Sequence, residues 1–458
     1  MKQIVYYGIG LVIAKLVAIF MLPIMTGILS PAEYGTLEIL QTFINILLTI
    51  FCLGQGDAIF RFGGMASTKQ AMDSICLNAG FLVFSSNLFL CIPMILFASQ
   101  ISSMLPGNTN SWQIVYLALL MIPSNILVVQ LDWLRLQENA LAFVWTNVIR
   151  TFIQAGLVLI VLYAGYGVTG IMFVSVVSNV LIFLYFLPTQ LKGLSQVDLN
   201  IQKRLFLYGI PLIFAGLGDF VIMSLDIWWL GYAIGAAEMA KFALAMKFAM
   251  VTLFLIQPFT MWWYPKRFKY INHRDYCAKT TELGVILGMI CAFSVTLGGS
   301  LFVHLFISKN YQDAILYLPL CAFIFPLKIA GDIMSMGLFL EKTKKIMWIN
   351  NMVAVLTMIG FYFSIPLWHV WGALYILCSV LCLRWLIFFY YSQKELYLPY
   401  RYLRLGLFIV VYAVCQSSIW LMGTVTAYVI YGGGLWLFLI AIAYYLKFIP
   451  PLTVLLKS

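Results

Sequence analysis

The chain has 458 residues, of which 63% are hydrophobic and only 9% are charged, and its formal net charge is +11. Soluble domains carry about 25% charged residues, so this composition excludes a soluble globular fold. It predicts an all-α polytopic membrane protein, because apolar stretches of about 20 residues, each long enough to cross a bilayer as a helix, recur along the whole chain.

Polar and Gly/Pro-rich clusters divide the chain into about fourteen predicted transmembrane helices. The first apolar stretch is too long for the core of a signal peptide and lacks a small-residue cleavage site, so we expect it to be retained as a helix. In chain order the predicted helices are 4–28, 36–60, 73–98, 112–134, 141–163, 168–189, 205–230, 237–263, 281–307, 313–339, 345–365, 370–391, 402–421 and 425–447.

The distribution of Lys and Arg predicts the orientation, because basic connections stay in the cytoplasm. With Lys2 placed inside, the outside connections carry a single basic residue, Lys309. Both termini are therefore predicted to be cytoplasmic, and the topology explains the positive net charge. No basic helix stands clear of the membrane, so nucleic-acid binding is not predicted. The inside connections and the C-terminal segment carry Arg61, Lys69, Arg135, Lys192, Lys203, Arg204, Lys266, Arg267, Lys269, Arg274, Lys279, Lys342, Lys344, Lys345, Lys394, Arg401, Arg404, Lys447 and Lys457.

A short hinge occurs twice, each time between two long apolar runs. It reads GILSPAEYGTLEIL at 27–40 and AIGAAEMAKFALAM at 233–246. In the first copy, Ser30, Pro31 and Glu33 fit a capping box at the start of the second helix, and the second copy is a weaker version. Further matches follow in the same order at nearly constant spacing: Tyr7 with Tyr208, Tyr116 with Tyr317, Pro123 with Pro326, Trp145 with Trp348, and Asn147 with Asn350.

The matched helices are six apart, so the two halves cross the membrane in the same direction as a parallel repeat. Two parallel six-helix bundles around a central cleft are typical of transporters that work by alternating access. A channel more often repeats as identical subunits around a pore. The predicted domains are an N-terminal six-helix bundle at 1–190, a cytoplasmic linker at 191–204, a C-terminal six-helix bundle at 205–392, and two additional transmembrane helices at 393–458.

Several basic residues fall at bilayer depth, where a charge costs several kcal/mol and usually faces a cavity or a partner. Near the middle of their helices, and predicted to bind an anionic substrate, are Lys15, Arg150 and Lys247. The secondary candidates are Lys328, together with Lys241 and Arg384, which lie nearer helix ends where a long side chain can snorkel to water. A buried structural ion pair is the alternative for each of them.

Three acidic residues are candidates for coupling to a proton or sodium gradient, because burial favours the neutral form of a carboxylate. Asp219 is predicted in mid-helix, with Asp226 seven residues further on about the same face. Asp332 follows Lys328 by four residues, so this pair can neutralise each other. Asp226 could instead be a structural partner for a cation on another helix.

The nine cysteines predict neither a disulfide framework nor a metal site. Their number is odd, nearly all of them lie in apolar stretches, and no His or acid joins the one pair that is a helical turn apart, Cys378 and Cys382. We predict no catalytic residue and no cofactor.

The segment MLPIMTGILSPAEYGTLEIL, together with SLDIWWLGYAIGAAEMAKFALAMKFA at 224–249, resembles the polysaccharide-export flippases of the multidrug/oligosaccharidyl-lipid/polysaccharide superfamily, and above all the O-antigen and capsule repeat-unit flippases. The resemblance covers essentially the whole chain through short motifs. Ser30, Pro31, Tyr34 and Gly35 match the hinge of the family, and Ile227 stands where members often have Arg. The family's other matching charges are Lys15, Asp226 and Lys247.

The resemblance implies a flippase of the bacterial inner membrane. Its substrate would be a short glycan on undecaprenyl diphosphate, moved from the cytoplasmic to the periplasmic leaflet, with H⁺ or Na⁺ as coupling cation and a polysaccharide polymerase or export protein as partner. A peptidoglycan-precursor flippase and a multidrug extruder of the same superfamily are the alternatives, although three deep cations disfavour an exporter of cations.

An enzyme such as a membrane glycan polymerase or glycosyltransferase is the alternative from another class. Such enzymes usually carry a sizeable extracytoplasmic loop with charged catalytic residues. Here the longest outside connection is SQISSMLPGNTNS, which has no charged residue. We therefore expect a transporter and not an enzyme.

Overall fold

The structure is a computed structural model that describes residues 2–66, 68–192, 197–341, 343–419 and 425–448. These residues form helices joined by short turns and contain no β-strand. Among them, ten helices are long and apolar enough to cross a membrane, and three shorter ones are also apolar. The predicted class, an all-α polytopic membrane protein, is confirmed. Of the predicted cytoplasmic segments, residues 193–196, Lys342 and Lys457 lie outside the described residues.

The chain forms two compact units, Met1–Glu238 and Met239–Ser458. The predicted bundle boundaries and the central cleft stay predictions. The helices of the first unit are α1 (Lys2–Ile28), α2 (Pro31–Phe51), α3 (Gln55–Ala58, continued by a π-helical turn at Ile59–Gly63), α4 (Lys69–Leu96), α5 (Ala98–Met104), α6 (Ser111–Leu136), α7 (Ala140–Tyr163), α8 (Gly167–Lys192), α9 (Leu199–Met223) and α10 (Leu225–Ile234). Helix α11 (Ala236–Lys269) leads into the second unit, which continues with α12 (Arg274–Phe306), α13 (Ala314–Met334), α14 (Leu338–Glu341), α15 (Thr343–Glu395), α16 (Tyr402–Ser418) and α17 (Val425–Tyr445).

Helix α2 begins with the predicted capping box. The Glu33 amide donates to Ser30 Oγ at 3.3 Å, and the Ser30 amide donates to Glu33 Oε2 at 2.9 Å. Pro31 occupies the first helical position, where its missing N–H costs nothing. The hinge sequence therefore satisfies the free amides at this helix start, as predicted.

Helix α15 is longer than either helix predicted in its region. It contains both predicted helices, 345–365 and 370–391, because the backbone leaves the helical conformation only at His369, with φ 52° and ψ −126°. Pro366 lies three residues earlier and removes one backbone donor from the helix. The kink therefore falls where the sequence predicts a connection.

The predicted helix 205–230 is interrupted, which the sequence analysis missed. Helix α9 ends at Met223 and α10 begins at Leu225, with Ser224 outside the helical conformation at φ −149°. Asp226 lies in the first turn of α10, and its Oδ1 accepts the Ile227 amide at 2.9 Å. The break creates a second helix N-terminus, at which a carboxylate is favourable.

Helix α9 packs against the early helices of the first unit. Its Leu205 is 1% exposed in a core with Ala58, Val83 and Val129. Gly209 lies so close to the Leu53 carbonyl oxygen that any Cβ there would overlap it. This glycine allows α9 to approach the turn before α3 more closely than a larger residue would.

The second unit is built around α12, with the two last helices packed on it and on α13. Its core includes Phe293, Ile333, Phe408 and Leu439, all fully buried. Glu282 on α12 is fully buried and accepts from Arg401 through the backbone amide at 2.5 Å and the side-chain Nε at 2.7 Å. Arg401 also donates from Nη1 to the Lys447 carbonyl at 2.9 Å. One arginine therefore joins α12 to the start of α16 and to the end of α17.

We expect Gly35→Ala to destabilise the first unit, because a Cβ at Gly35 would overlap the Ala236 carbonyl oxygen, a backbone atom that cannot rotate away. Overpacking of this kind typically costs about 1–3 kcal/mol. Thermal unfolding of the purified protein in detergent measures the effect. Gly27→Ala in α1 is the matched control, because a Cβ there meets nothing within 4 Å. Equal unfolding temperatures for the two variants would contradict the close contact of the two hinges.

Candidate membrane-embedded site

Arg150 lies near the middle of α7, as predicted, and is half-buried. Its Nη1 approaches Asn179 Oδ1 of α8 at 3.5 Å, and its Nε is buried without a hydrogen-bond partner. Among the described residues, no carboxylate forms an ion pair with Arg150. Among the described residues, the one hydrogen-bond partner of this guanidinium is therefore a neutral side chain.

The surroundings of Arg150 are polar but uncharged. Asn179 is 5% exposed and donates from Nδ2 to the Ser175 carbonyl at 2.8 Å. Gln154 lies one turn after Arg150, and its Nε2 donates to Ser175 Oγ at 3.4 Å. Ser178 is fully buried beside them. The facing sides of α7 and α8 thus offer amide and hydroxyl groups around one cation.

Of the other two predicted substrate-binding cations, one lies in each unit. Lys15 is exposed on α1, the helix that packs along α7. Lys247 lies in the second unit on α11, half-buried after a run of buried residues from Phe242 to Met246. The structure therefore brings the helices of Lys15 and Arg150 together and places Lys247 in the other unit.

Asp219 and Asp226 do not lie on the one continuous helix that the predicted shared face requires. The break at Ser224 separates them, so the seven-residue spacing no longer places them on one face. Asp219 is exposed near the end of α9, where the sequence analysis expected a mid-helix position. The physical reason is the break at Ser224, which ends α9 four residues after Asp219.

Asp226 is the more buried of these two acids, with 1% exposure. Its Oδ1 accepts the Ile227 amide, whereas its Oδ2 is buried and has no hydrogen-bond partner among the described residues. Two residues on, the Trp228 ring packs tilted against Phe43 of α2 at 5.8 Å and edge-on against Phe220 at 6.1 Å between ring centroids. A buried carboxylate oxygen with spare acceptor capacity therefore lies in the first turn of α10, close in sequence to an aromatic cluster.

In the second unit, Arg384 is not a snorkelling residue, contrary to the prediction. It is 6% exposed and donates from Nη2 to Asp332 Oδ1 at 2.8 Å and from Nε to Asn350 Oδ1 at 2.9 Å. Lys328 Nζ lies 3.8 Å from Asp332 Oδ2, so the predicted pair exists but shares its carboxylate with Arg384. Position along a helix could not reveal this, because Asp332 is 52 residues away in sequence.

Lys241 lies near the start of α11, and its head group binds a carboxylate. Its Nζ is 2.7 Å from Asp313 Oδ2, with side-chain exposures of 14% and 60%. Lys241 therefore fits the predicted alternative, a structural ion pair, better than it fits snorkelling. Such a part-exposed pair typically contributes about 0–1 kcal/mol.

Two asparagines that contact the deep arginines were not predicted from the sequence. Asn179 follows Ser175 and Ser178 at helical spacing within an apolar helix, which was the available signal. The sequence marked Asn350 only as the counterpart of Asn147 in the internal repeat. In each unit an arginine is paired with an asparagine of a neighbouring helix segment, Arg150 with Asn179 and Arg384 with Asn350.

Several solved structures of transporters share this fold. The lipid II flippase MurJ in an inward closed conformation superposes with a TM-score of 0.68 at 13% identity, covering 96% of this chain and 99% of that chain. A MOP superfamily transporter from Pyrococcus furiosus, described as having a binding pocket of reverse polarity, gives 0.58 at 16% identity, with 86% and 95% covered. An inward-facing multidrug resistance MATE family transporter gives 0.59 at 16% identity, with 84% and 94% covered.

Among curated proteins, none matches this chain. A family model described as polysaccharide biosynthesis protein matches residues 1–271, which is more than half of the chain and includes all of the first unit. The chain therefore belongs to the polysaccharide biosynthesis protein family.

Proposed function

We propose that the protein is a flippase that moves an undecaprenyl-diphosphate-linked oligosaccharide, an O-antigen, capsule or exopolysaccharide repeat unit, from the cytoplasmic to the periplasmic leaflet. Membership of a polysaccharide biosynthesis family supports a glycan substrate. The fold of MOP superfamily transporters supports transport by alternating access. Both observations favour a transporter, and moving the substrate between leaflets requires no covalent bond to be made or broken.

The observation that carries the proposal is the charge of Arg150. A half-buried cation without a neutralising acid is unfavourable in an apolar helix unless a ligand neutralises it. The diphosphate of a lipid-linked glycan is an anion whose oxygens a guanidinium can bind with two parallel hydrogen bonds. The neutral amides and hydroxyls around Arg150 suit the neighbouring sugar hydroxyls. Lys15 and Lys247 are proposed as further contacts for the same substrate.

A bacterial strain depleted of the protein tests this proposal. We expect the lipid-linked repeat unit to accumulate in the cytoplasmic leaflet, while peptidoglycan synthesis continues. Export that continues unchanged after depletion would contradict a flippase role.

A peptidoglycan-precursor flippase is the second candidate, because the lipid II flippase superposes over 96% of the chain. In that case depletion would cause accumulation of the peptidoglycan precursor and lysis of the cells. The identity of the accumulated lipid therefore separates the two candidates.

Coupling to a proton or sodium gradient is proposed at Asp226, because its buried Oδ2 has acceptor capacity for a proton or a small cation. Asp226→Asn keeps the shape and removes the charge, and we expect transport driven by the gradient to fall by about tenfold or more, in line with typical coupling energies. Asp219→Asn tests the second predicted acid, and Asp275→Asn, exposed in the first turn of α12, is the control. Asp332 is a weaker coupling candidate, since two cations already neutralise it.

Membrane abundance must be measured beside transport. If Asp226 only stabilises the start of α10, Asp226→Asn lowers abundance and leaves transport per molecule unchanged. Normal, gradient-dependent transport in both Asp226→Asn and Asp219→Asn would contradict coupling at these sites.

We propose an orientation in the inner membrane with both termini in the cytoplasm, supported by the basic connections. Reporter fusions near Thr109, Gly167, Gly235 and Pro366 should score periplasmic. Fusions near Lys69, Arg274 and Lys394 should score cytoplasmic. Reversed results at two neighbouring sites would remove one helix from this topology.

A further inference from the structure

A second group of charges lies inside the second unit, apart from Arg150. Lys328 and Asp332 project from α13, and Arg384 and Asn350 come from the two halves of α15. Two of these side chains approach the Asp332 carboxylate: Arg384 Nη2 is 2.8 Å from Oδ1, and Lys328 Nζ is 3.8 Å from Oδ2. The three ionic groups carry one net positive charge.

The Asp332 carboxylate leaves hydrogen-bond donors of both Arg384 and Lys328 unsatisfied. Asp332 contacts Arg384 through Nη2 alone, and Arg384 Nη1 is buried without a hydrogen-bond partner among the described residues. Lys328 Nζ is beyond hydrogen-bond distance of the carboxylate. A carboxylate that binds a guanidinium in the bidentate mode accepts two parallel hydrogen bonds. Asp332 accepts only one from Arg384.

The ionic groups differ in exposure. The side chains of Lys328 and Asp332 are 22% and 34% exposed, whereas that of Arg384 is 7% exposed. The ammonium and the carboxylate are therefore the accessible groups, and the guanidinium is covered. Gly331 makes room for the guanidinium, since a Cβ there would lie 3.2 Å from Arg384 Nη1.

We propose that Lys328 and Arg384 form a second anion-binding site, for a phosphate or diphosphate group, with Asp332 as an internal counter-ion that the ligand displaces. A phosphate group offers more oxygens than the carboxylate and can satisfy Lys328 Nζ and both prongs of Arg384. Asn350, bound to Nε at 2.9 Å, holds the guanidinium in place while its partner changes.

The contrast with the first unit explains why the two arginines would behave differently. Each is paired with an asparagine, but only Arg384 has a carboxylate on its guanidinium. Arg150 is therefore proposed to receive an anion directly, and Arg384 only by exchange. The inference deepens the proposed function, because the substrate diphosphate would have a second place of contact, but its test measures anion binding and not glycan export.

The test uses the purified full-length protein carrying Arg150→Gln, so that the first proposed site does not contribute. Titration calorimetry with inorganic pyrophosphate compares this background with Asp332→Asn added to it. Removing one like charge next to the ligand is expected to raise the affinity by about tenfold or more. Lys345→Gln, which removes a cation that pairs with Glu395 elsewhere on α15, should leave the affinity unchanged.

Lys328→Gln keeps the test decisive if Asp332→Asn does not fold, because it leaves the Asp332–Arg384 pair intact. We expect it to lower pyrophosphate affinity about tenfold. Unchanged affinity in either folded variant would overturn the proposal, as would the absence of binding in the background and in Asp332→Asn.

Repeating the titration with farnesyl diphosphate distinguishes the source of the anion. Equal affinity for both ligands assigns the site to diphosphates in general, and tighter binding of farnesyl diphosphate than of pyrophosphate assigns it to a lipid headgroup.

Discussion

Arg150→Glu is expected to abolish export of the lipid-linked glycan while the protein stays in the membrane at normal abundance. The variant replaces a deep cation, for which the described residues provide no carboxylate partner, with an anion that repels the diphosphate. Arg150→Ala and Arg150→Gln should also lose most activity, by roughly 10- to 100-fold, because hydrogen bonds to charged groups are worth about 1.5–3 kcal/mol. Arg150→Lys should keep some transport, since an ammonium still acts as a point charge.

The control for Arg150→Gln is Arg204→Gln, which neutralises an exposed cation of the same unit that lies over the Phe62 ring. Export per molecule, corrected for membrane abundance, is the measured quantity. A structural role for Arg150 makes a different prediction: abundance falls in all four variants and transport per molecule stays normal. Normal abundance together with normal export in Arg150→Glu would show that the diphosphate binds elsewhere.

Arg401→Met is expected to cause the largest loss of stability in the second unit. It would leave the Glu282 carboxylate fully buried without its cation, a change that typically costs about 3–5 kcal/mol. It would also release the end of α17, because Arg401 holds the Lys447 carbonyl. Thermal unfolding in detergent and limited proteolysis of the C-terminal helices measure these effects.

Arg404→Met is the matched control, since Arg404 is exposed one turn later on α16. The double variant Glu282→Gln/Arg401→Met should recover part of the loss, because no uncompensated charge is then buried. An unfolding temperature of Arg401→Met equal to that of Arg404→Met would contradict the role of this ion pair.

The sequence predicted those features that depend on local pattern. Apolar length gave the helices, and Ser30 with Glu33 gave the start of α2, because a capping box is complete within four residues. The connection near Pro366 was predicted for the same reason, although the helix continues up to His369. These features need no knowledge of which helices are neighbours.

The sequence could not predict pairings between distant residues. Asp332 and Arg384 are 52 residues apart, and Glu282 and Arg401 are 119 apart, so neither pair leaves a local signal. The break at Ser224 was missed because the segment remains apolar on both sides of it. Arg150 was predicted at depth, but its neutral surroundings, which carry the proposed function, become visible only when α8 is placed beside α7.

The measurement that tests the central claim most directly is translocation in vesicles that contain only the purified protein and a fluorescent lipid-linked glycan. An impermeant glycosidase added outside measures the fraction of glycan in the outer leaflet over time. We predict that the wild-type protein moves the protected fraction to the accessible leaflet, and that Arg150→Gln leaves it as slow as in protein-free vesicles. Translocation by wild type no faster than in protein-free vesicles, or equal rates for wild type and Arg150→Gln, would contradict the account.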